Sequence, residues 1–244
     1  MLKVDLGELE AVWMPEVSSR TADVVPHVWA HGRSLGPLDV SWIVMDDLPH
    51  RARSDAAGPA QAVMATTARF HRLAAHIELP TYPIDAEFVH LWAGSAVDNC
   101  CPGPVADVIR RIDADDAWLR SLGDYVVGHG DVHFWNAVSA QPDGPWRLID
   151  PIPRTAHWAW DAAYAQMTSG VPETPDLIRL LAAERKRLGL PVWGMDQIDR
   201  ITVVLLGWTS MMWWALLPDR RGDAWWAAEV QRHAEELAGL GDHR

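Results

Sequence analysis

Hydrophobic and polar positions follow different periods in the two parts of the chain. Before about Ala56, LKVDL alternates, and WIVMDDL is a short apolar run that ends in two acids. Alternation and short apolar runs predict strands. Between these runs, GELEAVWMPEVSSR predicts a helix that Pro15 interrupts or offsets. The pattern therefore predicts a small mixed α and β region at the N-terminus.

From Ala56 onward the chain is predicted to be mainly helical. Residues 58–77 repeat apolar positions at three- and four-residue steps, and residues 103–123 form a second amphipathic pattern with Gly123 as its C-cap. Residues 79–102 are rich in Pro, Asp and Gly and predict an irregular connection. Further helices are expected over about residues 160–169, 174–188, 195–217 and 221–239.

One compact β-like region interrupts the helices. It contains three short strand candidates, YVVGHG, NAVSA and WRLID. The residues QPDGP lie between the last two candidates and supply a turn. The C-terminal part is therefore predicted to be a mainly helical lobe with an embedded β-hairpin.

The segment from Val126 to Pro151 carries the side chains that suggest chemistry. Asp131 and Asn136 lie on a turn after one apolar strand, and Asp150 ends another. Phosphoryl transfer needs a carboxylate that orients an acceptor hydroxyl and accepts its proton, and oxygen ligands that hold Mg²⁺ against a triphosphate. Asp131 suits the first role, and Asn136 with Asp150 the second, because the hairpin brings these two residues together.

HGDVHFWN resembles the catalytic-loop motif of the aminoglycoside phosphotransferase and choline kinase family, and LIDP resembles that family's metal-binding segment. The resemblance implies a protein-kinase-like α+β fold. Residues 1–46 would form a truncated nucleotide-binding lobe with the hinge, and residues 47–244 a large helical lobe with the catalytic loop and acceptor site. It also implies ATP or GTP as the phosphate donor and Mg²⁺ as the metal. The implied acceptor is a hydroxyl of a small molecule, such as a cationic aminoglycoside-like antibiotic or a sugar.

Two further matches concern the nucleotide. WIVMDDLP resembles the hinge between the lobes, which implies that the backbone of Met45, Asp46 and Asp47 meets the adenine. Lys3 resembles the family's phosphate-binding lysine. Two acids on the following helix could be its partner, Glu10 and Glu16. Under this match no phosphate-covering loop precedes Lys3, so the small lobe is expected to be shortened.

The remaining matches imply structural roles. TTARFHRLA, around His71, resembles the helix that follows the hinge, and WDAAYA resembles the family's Asp-Leu-Ala element, with Asp161 as an anchor. His129 and His133 flank Asp131 and are expected to shape the loop. A metallohydrolase could use the same histidines as metal ligands, but it would need further His or carboxylate ligands.

Composition narrows the function classes. The 33 acidic against 21 basic side chains give a net charge of −12, which disfavours nucleic acid as a partner. This charge suits a cationic acceptor such as an aminoglycoside-like antibiotic, or serves solubility alone. The longest apolar run, residues 201–218, predicts a buried helix and not a membrane span. Without a signal-peptide pattern at the N-terminus, a cytoplasmic protein is expected.

Two other hypotheses stay open at the level of sequence. The missing phosphate-covering loop is compatible with a pseudokinase that regulates or scaffolds a biosynthetic enzyme. The same motifs would also serve a kinase that phosphorylates Ser or Thr of a peptide during natural-product maturation. No feature of the sequence selects the acceptor, ATP over GTP, or an oligomeric state.

Overall fold

A computed structural model of the chain describes residues 1–53, 57–84, 125–169 and 176–193, with a few positions between 224 and 236. The chain divides into two compact units, residues 1–82 with 125–192, and residues 83–124 with 193–244. The helices and the candidate site presented below belong to the first unit. The boundary expected between lobes after residue 46 stays a prediction.

The N-terminal residues form a three-stranded antiparallel sheet and a helix. The sheet has the order β1-β3-β2, with strands β1 (Leu2–Val4), β2 (Val28–Gly32) and β3 (Trp42–Met45). Helix α1 spans Glu8–Arg20 and contacts β2. It continues through Pro15, although a proline removes one helical hydrogen bond. Its buried residues Trp13, Met14 and Val17 explain why core packing outweighs that loss.

Two more sheets of three short strands follow. The first has the order β4-β7-β8, with β4 (His50–Arg51), β7 (Ala137–Ser139) and β8 (Arg147–Leu148). The second has the order β5-β9-β6, with β5 (Tyr82–Pro83), β6 (Tyr125–Gly128) and β9 (Arg154–His157). Strand β6 pairs with β9, not with the hairpin. Strand β9 has the sequence RTAH, which shows no apolar alternation, so its strand conformation comes from pairing.

The predicted hairpin is confirmed. Ala137 of β7 lies opposite Leu148 of β8, and Val138 lies opposite Arg147. The amide of Ile149 donates to the carbonyl of Asn136 at 2.9 Å, which extends the ladder by one residue beyond β7. Asp150 follows immediately, so the hairpin brings the ends of the two strands together.

Three further helices complete the described part of the unit. They are α2 (Ala57–Ala74), α3 (Trp160–Ser169) and α4 (Leu177–Arg187). Helix α2 packs against α4, and its residues Ala60, Val63, Met64 and Phe70 are buried. Helix α4 begins where the Asp176 carboxylate accepts from the amide of Arg179 at 3.0 Å.

The sequence located these helices to within a few residues. The helices predicted over 103–123 and 195–217 lie outside the described residues, and the one over 221–239 is helical at each position that is described. None of the described helices combines the length and apolar character that a bilayer crossing requires.

Candidate active site

A tight loop between β6 and a short 3-10 helix (Phe134–Asn136) carries the HGDVHFWN motif. Gly130 has φ +82°, a left-handed conformation that favours glycine. A Cβ at Gly130 would overlap the carbonyl oxygen of Ile152. The amide of Ile152 also donates to the carbonyl of His129 at 3.0 Å. This close approach holds the loop against the segment that follows Asp150.

The Asp131 carboxylate accepts hydrogen bonds on both of its oxygens. The Tyr164 hydroxyl donates to Oδ1 at 2.6 Å, and Asn136 Nδ2 donates to Oδ2 at 2.9 Å. His133 Nε2 lies 3.8 Å from Oδ2. Burial lowers the pKa of His133, and the charges of Asp131 and Asp150 offset only part of this effect. His133 is therefore a neutral ring beside the two carboxylates at neutral pH.

The orientation of the Asn136 amide is fixed by its neighbours. Nδ2 donates to the Asp131 carboxylate and also to the Asp131 carbonyl at 3.1 Å, and both of these groups can only accept. Its oxygen Oδ1 therefore faces away from Asp131. A carboxylate from Asp150 and an amide oxygen from Asn136 are hard oxygen ligands of the kind that Mg²⁺ binds.

A magnesium ion fits this donor set. Within the described residues no group of three or more His, Cys, Asp or Glu side chains is arranged around one point for a metal ion. Mg²⁺ commonly keeps several waters and takes only one or two protein ligands together with substrate phosphates. The pair Asn136 and Asp150 satisfies that need. A metallohydrolase centre built on His129 and His133 has no third ligand in the described part of the chain.

Lys3 connects the first strand to the segment of Asp150. Its Nζ lies 2.6 Å from Glu10 Oε1 on α1 and 2.7 Å from Asp150 Oδ1. Glu16, the other predicted partner, pairs with Arg20 instead. Burial alone would lower the pKa of Lys3, but hydrogen bonds from Lys3 to Asp150 and Glu10 outweigh burial and raise it. The ammonium therefore stays charged.

Glu10 is more buried than its partner lysine. Burial raises the pKa of Glu10, and Lys3 offsets only part of that rise. Asp150 contacts the same ammonium, and its charge also disfavours ionisation of Glu10. The pKa of Glu10 consequently lies above its usual value although the residue forms an ion pair.

The segment predicted to be a hinge continues directly from β3. Met45 exchanges backbone hydrogen bonds with Met1, at 2.7 Å and 2.9 Å, and the Asp46 amide donates to the His27 carbonyl at 3.0 Å. The Asp46 carboxylate accepts from Trp29 Nε1 at 3.0 Å. These groups are already hydrogen-bonded to other residues of the N-terminal region. Asp47 is exposed. Within the described residues, neither the Asp47 backbone nor the Asp46 carbonyl takes part in a backbone hydrogen bond, so these groups of the predicted hinge are available to a ligand.

Asp161 anchors the HGDVHFWN loop from α3. Its carboxylate accepts from the amides of His129 and Gly130, each at 2.8 Å, and lies 2.9 Å from His71 Nε2. Gly128 lies so close that a Cβ there would be 2.8 Å from Asp161 Oδ2. Burial alone would raise the pKa of Asp161, but the donors around the carboxylate, His71 first, outweigh burial and lower it. Asp161 is therefore an ionised, buried acceptor.

Arg185 of α4 extends this network. Its Nη1 lies 2.7 Å from His71 Nδ1, and its Nη2 donates to the Pro191 carbonyl at 2.8 Å. An arginine only donates, so Nδ1 of His71 accepts and Nε2 carries the proton that is donated to Asp161. Burial lowers the pKa of His71 more than Asp161 raises it, which agrees with a neutral ring. Burial lowers the pKa of Arg185 to about 10, so it stays charged at neutral pH.

Two functional candidates, Tyr164 and Arg185, were not found from the sequence. Tyr164 lies three residues after Asp161, and residues at this spacing share a helix face. This spacing was a usable signal, since Asp161 was expected to be a structural anchor. Arg185 lies among charged residues of an amphipathic helix, where a solvent-exposed side chain is the ordinary prediction. No local feature of the sequence distinguished Arg185 from the exposed charged residues of this helix.

The fold is similar to solved structures of small-molecule kinases. A choline/ethanolamine kinase family protein from Mesorhizobium loti has a TM-score of 0.64 and 12% identity over 98% of this chain and 82% of that chain. The choline kinase LicA from Streptococcus pneumoniae has a TM-score of 0.62 and 16% identity over 98% and 86%. The GDP complex of aminoglycoside 2'-phosphotransferase-IIIa has a TM-score of 0.59 and 12% identity over 96% and 82%.

No family model and no curated protein matches the sequence. The structural likeness confirms the predicted protein-kinase-like α+β fold. At these identities it establishes the fold and leaves the chemistry to be argued from the site.

Proposed function

We propose that the chain is a phosphotransferase that moves the γ-phosphoryl group of ATP or GTP to a hydroxyl group of a small molecule. The observation that carries the proposal is the geometry around the hairpin. Asn136 is hydrogen-bonded to Asp131 at 2.9 Å, and the hairpin brings it beside the segment of Asp150, which Lys3 contacts at 2.7 Å. The residues proposed as base, metal ligands and phosphate-binding cation thereby lie close to one another, which supports the proposal.

In the proposed reaction, Asp131 orients the acceptor hydroxyl and accepts its proton. The acceptor oxygen forms a bond to the γ-phosphorus, and the bond between that phosphorus and the oxygen bridging to the β-phosphate breaks. The products are a phosphate ester and a nucleoside diphosphate, and the proton resides on Asp131 until solvent removes it. A positioned general base contributes about 10²- to 10⁴-fold to a rate.

The other residues of the site bind and orient the donor nucleotide. Lys3, held by Glu10, is proposed to bind phosphate oxygens as a charged ammonium. Asn136 and Asp150 would hold Mg²⁺, which when bound neutralises charge on the phosphate oxygens. The Asp46 carbonyl and the Asp47 backbone, which follow the central strand β3, are proposed to meet the adenine. Met45 would contribute packing, since its amide and carbonyl bond to Met1.

The acceptor class is proposed from charge. The net charge of −12 supports a cationic small molecule as the acceptor and disfavours nucleic acid as a partner. The similar structures include a choline kinase and an aminoglycoside phosphotransferase, and choline and aminoglycosides are both cationic alcohols. An aminoglycoside-like antibiotic or an amino alcohol is therefore the first acceptor to test. We further propose a cytoplasmic protein that acts without a membrane partner.

The first experiment measures binding of Mg²⁺-ATP and Mg²⁺-GTP by calorimetry. Wild-type protein should bind at least one of them in a Mg²⁺-dependent way, and Asp150→Ala should weaken binding tenfold or more. Asp143→Ala, which changes an exposed carboxylate in the hairpin turn, is the matched control and should bind as wild type does. Ligand at 100 times its Kd adds about 2.7 kcal/mol to the free energy of unfolding, so a thermal shift provides an independent check.

The second experiment measures phosphate transfer to cationic alcohols. Asp131→Asn should lower the rate at least about 100-fold with little effect on nucleotide binding. Transfer that survives this substitution within a few-fold would contradict the role of Asp131.

The Lys3–Asp150 ion pair motivates one other candidate, a nucleotide-binding pseudokinase. In this pair, Lys3 contacts one carboxylate oxygen of Asp150, which is also a proposed metal ligand. Nucleotide binding without transfer to small molecules or to Ser and Thr peptides would favour the pseudokinase. Transfer to such a peptide instead would favour a kinase of natural-product maturation.

A further inference from the structure

Helix α3 contacts the catalytic loop at two points that lie one helical turn apart. Asp161 accepts from the backbone amides of His129 and Gly130, each at 2.8 Å. Tyr164, on the same face of the helix, donates from its hydroxyl to Asp131 Oδ1 at 2.6 Å. The first contact holds the backbone of the loop, and the second holds the side chain of the proposed base.

We propose that Tyr164 is a positioning residue for phosphoryl transfer, which fixes the orientation of the Asp131 carboxylate. The inference rests on the proposed function, in which Asp131 accepts the proton of the acceptor. Tyr164 holds Oδ1 and Asn136 holds Oδ2, so rotation of the carboxylate would break a hydrogen bond on either side. Each carboxylate oxygen accepts more than one hydrogen bond, which leaves room for the acceptor hydroxyl.

The environment of Tyr164 suits a fixed donor. Only 8% of the residue is exposed, and it lies in a helix whose neighbouring residues Ala162 and Ala163 are fully buried. Burial and the negative charge of Asp131 raise the pKa of Tyr164, so the phenol keeps its proton at physiological pH. A short hydrogen bond to an ionised acceptor is among the stronger kinds in proteins. The protein core thus holds the Tyr164 ring in place, and the Asp131 carboxylate holds its hydroxyl.

A competing possibility is that the Tyr164 hydroxyl blocks the base. The phenol would then occupy the place of the acceptor hydroxyl, and its removal would accelerate turnover. The fixed helix position of Tyr164 and the second donor on Oδ2 favour positioning, because a blocking group would need to leave during each cycle. The two ideas predict opposite changes in kcat.

The contact is tested first without any activity measurement. The chain has three tyrosines, Tyr82, Tyr125 and Tyr164, so protein labelled with ¹³C at the tyrosine ζ carbon should show three assignable resonances. The resonance missing in Tyr164→Phe belongs to Tyr164. Asp131→Asn should shift this resonance more than the other two. A Tyr164 resonance that does not respond would overturn the proposal.

Turnover is tested next, with Mg²⁺-ATP as donor and water as the acceptor, by the release of phosphate. Tyr164→Phe should lower kcat by roughly 10- to 100-fold while the KM for Mg²⁺-ATP stays within about twofold. Tyr125→Phe makes the same chemical change away from the loop and is the control. In an Asp131→Asn background, Tyr164→Phe should cause no further loss, because both changes then act on one interaction.

An unchanged or increased kcat in Tyr164→Phe would overturn the positioning role while leaving the proposed function intact. The proposed function fails in a different way. Wild-type protein would then bind no Mg²⁺-nucleotide, or its turnover would be insensitive to Asp131→Asn, and the role of Tyr164 would be overturned with it. Thermal unfolding of each variant separates a loss of kcat from a loss of folded protein.

Discussion

Arg185 Nη1 lies 2.7 Å from His71 Nδ1, and this contact decides which nitrogen of His71 carries the proton. The guanidinium belongs to α4, His71 to α2, and the carboxylate that His71 binds, Asp161, to α3. Three helices therefore meet in one buried polar network, and the network ends on the amides of His129 and Gly130.

We predict that Arg185→Met destabilises the protein by about 2–4 kcal/mol, measured by urea unfolding. Methionine fills a similar volume, but His71 Nδ1 and the Pro191 carbonyl then lose their donor, and buried Asp161 loses a nearby cation. Arg179→Met, an exposed position of the same helix, is the control and should cost less than about 1 kcal/mol. Equal losses in the two variants would contradict the network.

Lys3 supplies a second prediction. Lys3→Met leaves the carboxylates of Glu10 and Asp150 without the cation between them, so we expect a loss of about 1–2 kcal/mol in the free energy of unfolding, between the values for exposed and buried pairs. The same variant should weaken Mg²⁺-nucleotide binding. Arg20→Met breaks the more exposed pair with Glu16 and should cost under about 1 kcal/mol without affecting the nucleotide. A Lys3 variant that binds nucleotide normally would remove Lys3 from the site.

The sequence predicted the parts of this site that depend on local signals. The turn QPDGP and the apolar strands around it predicted the hairpin that places Asn136 beside the Asp150 segment. Periodicity also located the four helices described in the first unit and the strands β1, β3 and β6, whereas β2, β4, β5 and β9 were not predicted. The roles of Asp131, Asn136, Asp150 and Lys3 stay predictions, since the structure brings these residues together and does not test their chemistry.

Other features depend on tertiary contacts and had no local signal. Strand β9 is polar and owes its conformation to β6, Pro15 is tolerated because its helix is buried, and Arg185 is buried although its helix is strongly charged. In each case the packing of distant residues overrides the preference of the local sequence. Contacts of this kind can be predicted from a single sequence only when the complete fold is known.

Gly130 supplies a third prediction. Gly130→Ala should destabilise the protein by more than about 3 kcal/mol, because a Cβ overlaps the Ile152 carbonyl in addition to disfavouring the positive φ. Gly36→Ala is a matched control, since Gly36 has φ +60° and no atom within 4 Å of the added Cβ. It carries the backbone cost alone, about 1–2 kcal/mol. Similar losses in both variants would show that the loop can move away from Ile152.

The buried histidines supply a fourth prediction, on the dependence of stability on pH. Burial lowers the pKa values of His71 and His129, so the unfolded chain binds more protons than the folded chain below about pH 6.5. Their contribution to stability is complete above that pH and is lost as the pH falls towards their folded pKa values. For each such histidine, the free energy of unfolding should fall by about 1.4 kcal/mol for every pH unit by which the pH is lowered within this window.

Urea unfolding at several values between pH 7.5 and 5.5 measures this slope. His129→Asn removes one of the three rings whose pKa burial lowers, His71, His129 and His133, and keeps an acceptor oxygen in reach of the Asp131 amide, which donates to His129 Nδ1 at 3.4 Å. The variant should lose one histidine's share of the slope, whatever its stability at pH 7.5. His76→Gln, at an exposed position, should keep the full slope. A wild-type protein whose stability does not change over this range would mean that both histidines can be protonated in the folded state, and that the neutral ring assigned to His71 between Arg185 and Asp161 is wrong.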